Sequence, residues 1–270
     1  MLSQQTKDIV KSTAPILNEH GETLTKHFYA RMFSHNPEVA PFFNSANQTG
    51  GTQQRALAAA ICAYASNIDN LEVLGGAVEL IAHKHASLQI KPEHYPIVGE
   101  HLLGSIDDIL APAPPEILEA WGEAYGFLAG VLIGAEKDIY EEQAEQPGGW
   151  NDFKDFEIVK KENESQWITS FYLKPKDGAE LPRFKSGQYL TVRVPDNSAK
   201  RQGCPFTGKK PTTMRNYSLS TRPGQGHYRI SVKREPAREQ GAQPGVVSNH
   251  LHDKVLVGDV VQQRQAGEMK

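Results

Sequence analysis

From Ser3 to about Glu142 the apolar residues recur every three or four positions, the period of helices that bury one face. Ser3 is placed to cap a first helix that runs to about His20, where Gly21 reads as its stop. A second helix is expected over about 22–34, carrying Leu24, Phe28, Tyr29, Met32 and Phe33, until Asn36-Pro37 breaks the pattern. Pro41-Phe42-Phe43-Asn44 forms an aromatic corner, and a polar loop follows from Ser45 to Thr52. Helical spacing then returns over about 53–68, 71–89, 92–110 and 116–142. Helices of these lengths in so short a stretch predict one all-α domain.

Beyond Gln146-Pro147-Gly148-Gly149-Trp150 the period drops to two. Phe156 to Val159, Trp167 to Leu173, Gln188 to Val194, Asn216 to Ser220 and Tyr228 to Lys233 read as short strands, separated by turn signals such as Lys176-Asp177-Gly178. They predict an antiparallel sheet or small all-β barrel, with a short helix at Gly245 to Leu251. The expected division is 1–142 helical, 143–150 linker, 151–262 barrel and 263–270 an aberrant tail.

Composition narrows the setting. A chain of 270 residues suits roughly two domains. A net charge of −3 without a basic block gives no reason to expect a nucleic-acid partner. Cys62 and Cys204 lie far apart in different contexts, which suits a reducing compartment better than a disulfide framework. The N-terminus lacks the pattern of a signal peptide and no run of about eighteen apolar residues occurs, so the expected address is cytoplasmic with no integral membrane segment.

The residue that demands chemistry is His85. It continues the stripe Leu74, Val78, Ile81 and precedes Leu88 on the same face. A histidine there must find a hydrogen-bond partner or bind something, and the ordinary outcome is a satisfied core histidine. For metal ligation the ring must be neutral and held by an acceptor on its far nitrogen. Tyr95, ten residues on, and Glu136, in phase with Leu128 and Leu132, are candidates for that acceptor role. Tyr29 and Gln53 are polar groups at inward positions, and Leu57 lies one turn beyond Gln53.

Several phrases carry a family likeness: His27 to Phe33 (H-F-Y-A-R-M-F), Phe43 to Gln48 (F-N-S-A-N-Q), the run K-H-A-S-L-Q-I-K-P-E-H-Y at 84–95, and A-W-G-E-A-Y at 120–125. On these the helical half resembles the globin domain of flavohaemoglobins. The resemblance implies haem b with His85 as the proximal iron ligand and Tyr95 and Glu136 as its charge-relay partners. It further implies Tyr29 and Gln53 as the distal pair over dioxygen, with Phe43 and Leu57 lining the pocket.

In the barrel half, F-K-S-G-Q-Y (184–189), R-N-Y-S-L-S (215–220) and G-V-V-S-N-H-L-H (245–252) resemble the FAD-binding barrel of the ferredoxin-reductase family. That likeness implies Tyr189, Arg215, Asn216, Tyr217 and Ser218 at the flavin, and Gly245, Val246, Val247 and Ser248 at its phosphates. Relatives continue into a nicotinamide-binding domain, so NAD(P)H is expected only of the full-length proteins. Here Val257 to Val261 is followed by Q-Q-R-Q-A-G-E-M-K, which predicts a half-made last strand because that segment has no inward alternating face. The implied function is nitric oxide dioxygenase: NAD(P)H reduces FAD, FAD reduces haem iron, and NO and O2 yield nitrate. For the enzyme, a separate reductase or a reductant is the expected electron source; the alternative is a globin that binds or senses O2 or NO without turnover.

Overall fold

The computed structural model describes residues 1–43, 48, 50–196, 212–237 and 244–265. It divides into two compact units, Met1–Ile81 with Ile90–Ala135, and Ala82–Gln89 with Glu136–Lys270. The helices are α1 (Gln4–His35), α2 (Thr52–Ser66), α3 (Gly75–Leu88), α4 (Tyr95–Leu110), α5 (Pro115–Glu145) and α6 (Val246–Lys254), with short 3-10 turns at Pro37–Phe42, Leu71–Leu74 and Pro92–His94. The strands are β1 (Lys154–Asn163), β2 (Ile168–Pro175), β3 (Tyr189–Pro195), β4 (Thr212–Ser218), β5 (Tyr228–Lys233) and β6 (Val260–Gln265).

In the first unit Ser3 caps α1 as expected, its hydroxyl accepting from the Thr6 N–H at 3.1 Å. The helix does not stop at Gly21. It runs unbroken through Pro15 and Gly21 to His35, so the two expected helices are one. Gly21 is buried, and a Cβ there would lie 3.2 Å from the Ala58 Cβ. The glycine therefore serves the close approach of α1 to α2, and packing outweighs its helix penalty of about 1 kcal/mol. Thr25 fastens the same crossing by donating to the Gln54 carbonyl at 2.9 Å. The core gathers Val10, Leu24, Phe28, Met32, Ile61, Tyr64, Ile68, Leu102, Ile106 and Trp121. Two buried hydrogen bonds orient its polar rims, Tyr64 to the Ala124 carbonyl at 2.8 Å and Trp121 to Thr13 at 3.1 Å. Among the described residues one helix, α5, is by length and composition long and apolar enough to cross a membrane, although charged residues interrupt it. Its Trp121, Ala124 and Leu132 are buried in the protein.

The second unit holds a six-stranded antiparallel sheet in the order β4-β3-β6-β1-β2-β5. Leu219, just past β4, bridges to Ile230 of β5, so the two ends of the sheet meet as a barrel. Its interior is Phe156, Ile158, Phe171, Leu173, Leu190, Val192, Ile230 and Val232, closed on one side by Val247, Leu251 and Val255 along α6.

The last strand is not half made. β6 pairs with β1 on one side and β3 on the other over Val260–Gln265. Backbone pairing, which needs no particular side chain, overrides the missing alternation. The mismatch persists in the side chains: Gln263 and Arg264 are buried, and both Gln263 amide atoms and two Arg264 nitrogens have no hydrogen-bond partner. Residues 266–270 of the expected tail, and 44–47 and 49 of the expected polar loop, lie outside the described residues.

Candidate haem and flavin sites

On α3 the fully buried positions are Ala82, Ala86 and Ser87, whereas Val78, Ile81, His85 and Leu88 are half-buried. The imidazole of His85 lies with Nδ1 2.8 Å from Oε1 of Glu136. A carboxylate can only accept, so Nδ1 is the donor in this pair. The Glu136 side chain is 2% exposed and that of His85 32%, so the acceptor is held inside and the ring remains accessible. This is the arrangement that a metal-ligating histidine needs, a fixed tautomer with a charged acceptor behind it.

Tyr95 opens α4 in the first unit, buried with Ala129 and Leu132 in a small apolar cluster. Its carbonyl accepts from the Tyr125 hydroxyl at 2.6 Å, which ties the start of α4 to α5. Tyr29 and Gln53, also in the first unit, share a side-chain hydrogen bond. Burial pushes the Tyr29 phenol well above its ordinary range, so it is a neutral O–H donor at any physiological pH. Gln48 donates to Gln53 at 3.0 Å and accepts from Gln54 at 2.9 Å, so the amide at position 53 is braced from behind. Phe43 packs edge-on to Tyr29 and Phe33, with centroids at 5.6 and 5.3 Å. Leu57 is half-buried against the same core.

In the barrel, β3 and β4 pair Tyr189 with Ser218, Leu190 with Tyr217, Thr191 with Asn216 and Val192 with Arg215. Directly opposed residues share a face. The pairing therefore divides the expected flavin residues: Tyr189, Asn216 and Ser218 lie on one face, Arg215 and Tyr217 on the other. Burial raises the pKa of both Tyr189 and Tyr217, keeping each phenol neutral.

The first of these faces meets a partner that sequence reasoning missed. Ser87, two residues after His85, receives the Asn216 amide at 3.4 Å and hydrogen-bonds Tyr189. Lys84 stands 6.0 Å above the Tyr189 ring, and Thr191 donates to Asn216 at 2.9 Å. Lys84 and Ser87 stand beside the histidine in the sequence, but only the fold brings β3 and β4 to them.

At α6, Gly245 is the N-cap, with no side-chain cap and no acidic residue in the first turn. A Cβ at Gly245 would lie 2.9 Å from the Glu235 Cβ and 2.7 Å from the Ser248 hydroxyl, so this corner requires glycine. Val247 and Ser248 are buried behind it. An uncapped helix start of this kind leaves backbone N–H groups available to a phosphate.

Residues 26–132 match the Globin family model. The flavohemoprotein of Rhodopirellula baltica is 55% identical over 96% of this chain and 61% of its own length. That of Halalkalibacterium halodurans is 52% identical over 97% of this chain and 61% of its own. The chain contains a globin domain and is similar to flavohaemoproteins over nearly its whole length. It spans about three fifths of the length of these curated relatives.

The flavohaemoglobin of Malassezia yamatoensis, solved with bound FAD and haem, has the same fold over 99% of this chain and 65% of its own, with a TM-score of 0.80 at 26% identity. A helical globin domain followed by an antiparallel β domain of the flavohaemoglobin reductase type is thus the family architecture. The residues present suit both prosthetic groups of that architecture: an imidazole backed by Glu136 for haem iron, and an uncapped helix start for a flavin phosphate.

Proposed function

We propose that this chain is the haem- and flavin-carrying part of a nitric oxide dioxygenase, in which NO, O2 and one electron give nitrate. The pairing of His85 with buried Glu136 at 2.8 Å is the observation that most supports the reading, because a core histidine needs no charged acceptor to fix its tautomer. His85 would hold the haem iron through Nε2. Haem supplies the redox-active iron at which dioxygen and NO meet, and flavin supplies the electron.

The chain's own residues would do the rest. Glu136 holds the Nδ1 proton of His85 and so raises the electron-donating power of Nε2. Tyr29, buried and neutral, offers a fixed O–H to an oxygen atom that gains negative charge, and Gln53 orients that hydroxyl. Phe43 and Leu57 exclude water from the distal side. Tyr189, Asn216 and Ser218 would hold the isoalloxazine from their shared face, and Gly245 to Ser248 the pyrophosphate. Contacts of Ser87 with Tyr189 and Asn216 support a short route from flavin to the ligand helix.

The test is a single turnover. The reduced, haem-loaded protein in aerated buffer receives NO equal to its haem, and nitrate is counted. Nitrate equal to haem supports the dioxygenase. NO retained without nitrate supports the alternative, a globin that binds O2 or NO without turnover. Multiple turnover then requires an electron donor to the flavin.

A further inference from the structure

Strand β1 contains a feature that the flavin reading does not use. Its register with β2 slips by one residue between Ile158, which faces Leu173, and Lys160, which faces Tyr172. Val159 is the extra residue of a β-bulge. Before the bulge Phe156 and Ile158 point into the barrel, so uninterrupted alternation would turn Lys160 inward. After it, Lys161 shares the inner face with Phe171. Bulges of this kind re-aim a side chain.

What the bulge aims is an ammonium group at the end of α6. Lys161 Nζ donates to the carbonyls of Leu251 at 3.3 Å, His252 at 2.8 Å and Val255 at 2.9 Å. Leu251 and His252 lie in the last turn of α6 and Val255 is its C-cap, and such carbonyls lack donors within the helix. The cation also meets the negative pole of the helix and stands over the Phe171 ring at 5.4 Å. The rest of α6 is held from the same side. His252 Nε2 donates to the Val232 carbonyl at 2.9 Å, and Asn249 donates to Glu235 and Gly245, each at 2.8 Å. A helix of 9 residues is about 13 Å long, so fixing its last turn also fixes where its first turn points.

We infer that Lys161 is a positioning residue for the phosphate end of the flavin site, acting through α6 on the backbone N–H groups of Val246, Val247 and Ser248. The inference rests on the flavin reading of Gly245 to Ser248. It differs from a general role in barrel stability, because the isoalloxazine face on β3 and β4 has no part in it.

The experiment compares the full chain with its Lys161→Met variant. FAD and riboflavin are titrated by flavin fluorescence, and amide hydrogen exchange is followed in the flavin-free protein. In the variant FAD binds about five-fold more weakly, riboflavin, which has no phosphate, changes by less than about two-fold, and α6 amides exchange faster while β1 and β2 keep their protection. Equal weakening of both flavins with faster exchange across the sheet would make Lys161 a general stabiliser and overturn the inference. Unchanged FAD affinity would also overturn it. Failure of the unaltered chain to bind FAD would instead reject the flavin reading beneath it, and the two failures are thereby distinguishable.

Discussion

Replacing Glu136 by Gln tests whether the proximal pair tunes the iron. The side chains are nearly isosteric, and the amide oxygen can still accept the Nδ1 proton across the present 2.8 Å. What disappears is the charge on an acceptor only 2% exposed, where solvent cannot substitute for it. A hydrogen bond to a charged group is worth about 1.5–3 kcal/mol and a neutral one about 0.5–1.5, so the exchange forfeits roughly 1 kcal/mol. That loss falls on the oxidised iron, which gains most from an electron-rich imidazole. For a one-electron couple about 1.4 kcal/mol corresponds to 59 mV, so the haem midpoint potential should rise by about 40 mV. Spectroelectrochemical titration of the haem-loaded proteins reads the shift directly. A potential unchanged within about 10 mV, or one that falls, would refute the claim that Glu136 acts electronically through His85.

Three further outcomes follow from local geometry. Tyr29→Phe removes the buried donor and should speed dioxygen release from the reduced protein about tenfold, the equivalent of one hydrogen bond of roughly 1.4 kcal/mol; stopped-flow off-rates equal to the parent's would reject the distal role. His101 is buried, donates through Nε2 to Asn36 Oδ1 at 2.7 Å, and has no partner at Nδ1, so burial lowers its pKa from the ordinary 6.5. The unfolded chain then takes up the proton first, so stability from this group is complete above about pH 6.5 and is lost as pH falls below it. Urea melts at neutral and mildly acidic pH should show a smaller acid loss in His101→Gln than in the parent, and an identical loss would contradict the assignment. Arg264→Met removes a buried cation with two unpartnered nitrogens at the cost of its contact over the Tyr140 ring at 4.8 Å. The exchange should be net stabilising by about 1 kcal/mol, and a lower melting temperature would show that the guanidinium is better satisfied than its contacts indicate.

Much of this was legible in the chain because the relevant signals are local. Ser3 as a cap and the change of period at Gln146 to Trp150 need only neighbouring residues to be recognised. The spacing that put His85 and Glu136 on inward faces was also enough to nominate them, and the fold brings them to hydrogen-bond distance. Long-range causes escaped. Gly21 looked like a stop because its reason for being glycine, Ala58, lies on another helix. The strand at Val260–Gln265 looked incomplete because its partners β1 and β3 supply backbone pairing that its side chains do not advertise. Ser87 and Lys84 gave no signal apart from standing beside His85, since their contacts come from strands a hundred residues away. The bulge at Val159 is likewise invisible without the register of β2.

The central claim is that His85 ligates haem in a chain that also carries flavin. It is tested most directly by the absorption spectrum of the purified protein, recorded as isolated, after dithionite and after carbon monoxide, beside that of His85→Ala. The account predicts a strong haem band that shifts at each addition, a flavin shoulder that bleaches on reduction, and no haem band in the variant. A variant with the parent's haem content and spectrum would contradict it, because the iron would then be held by another residue.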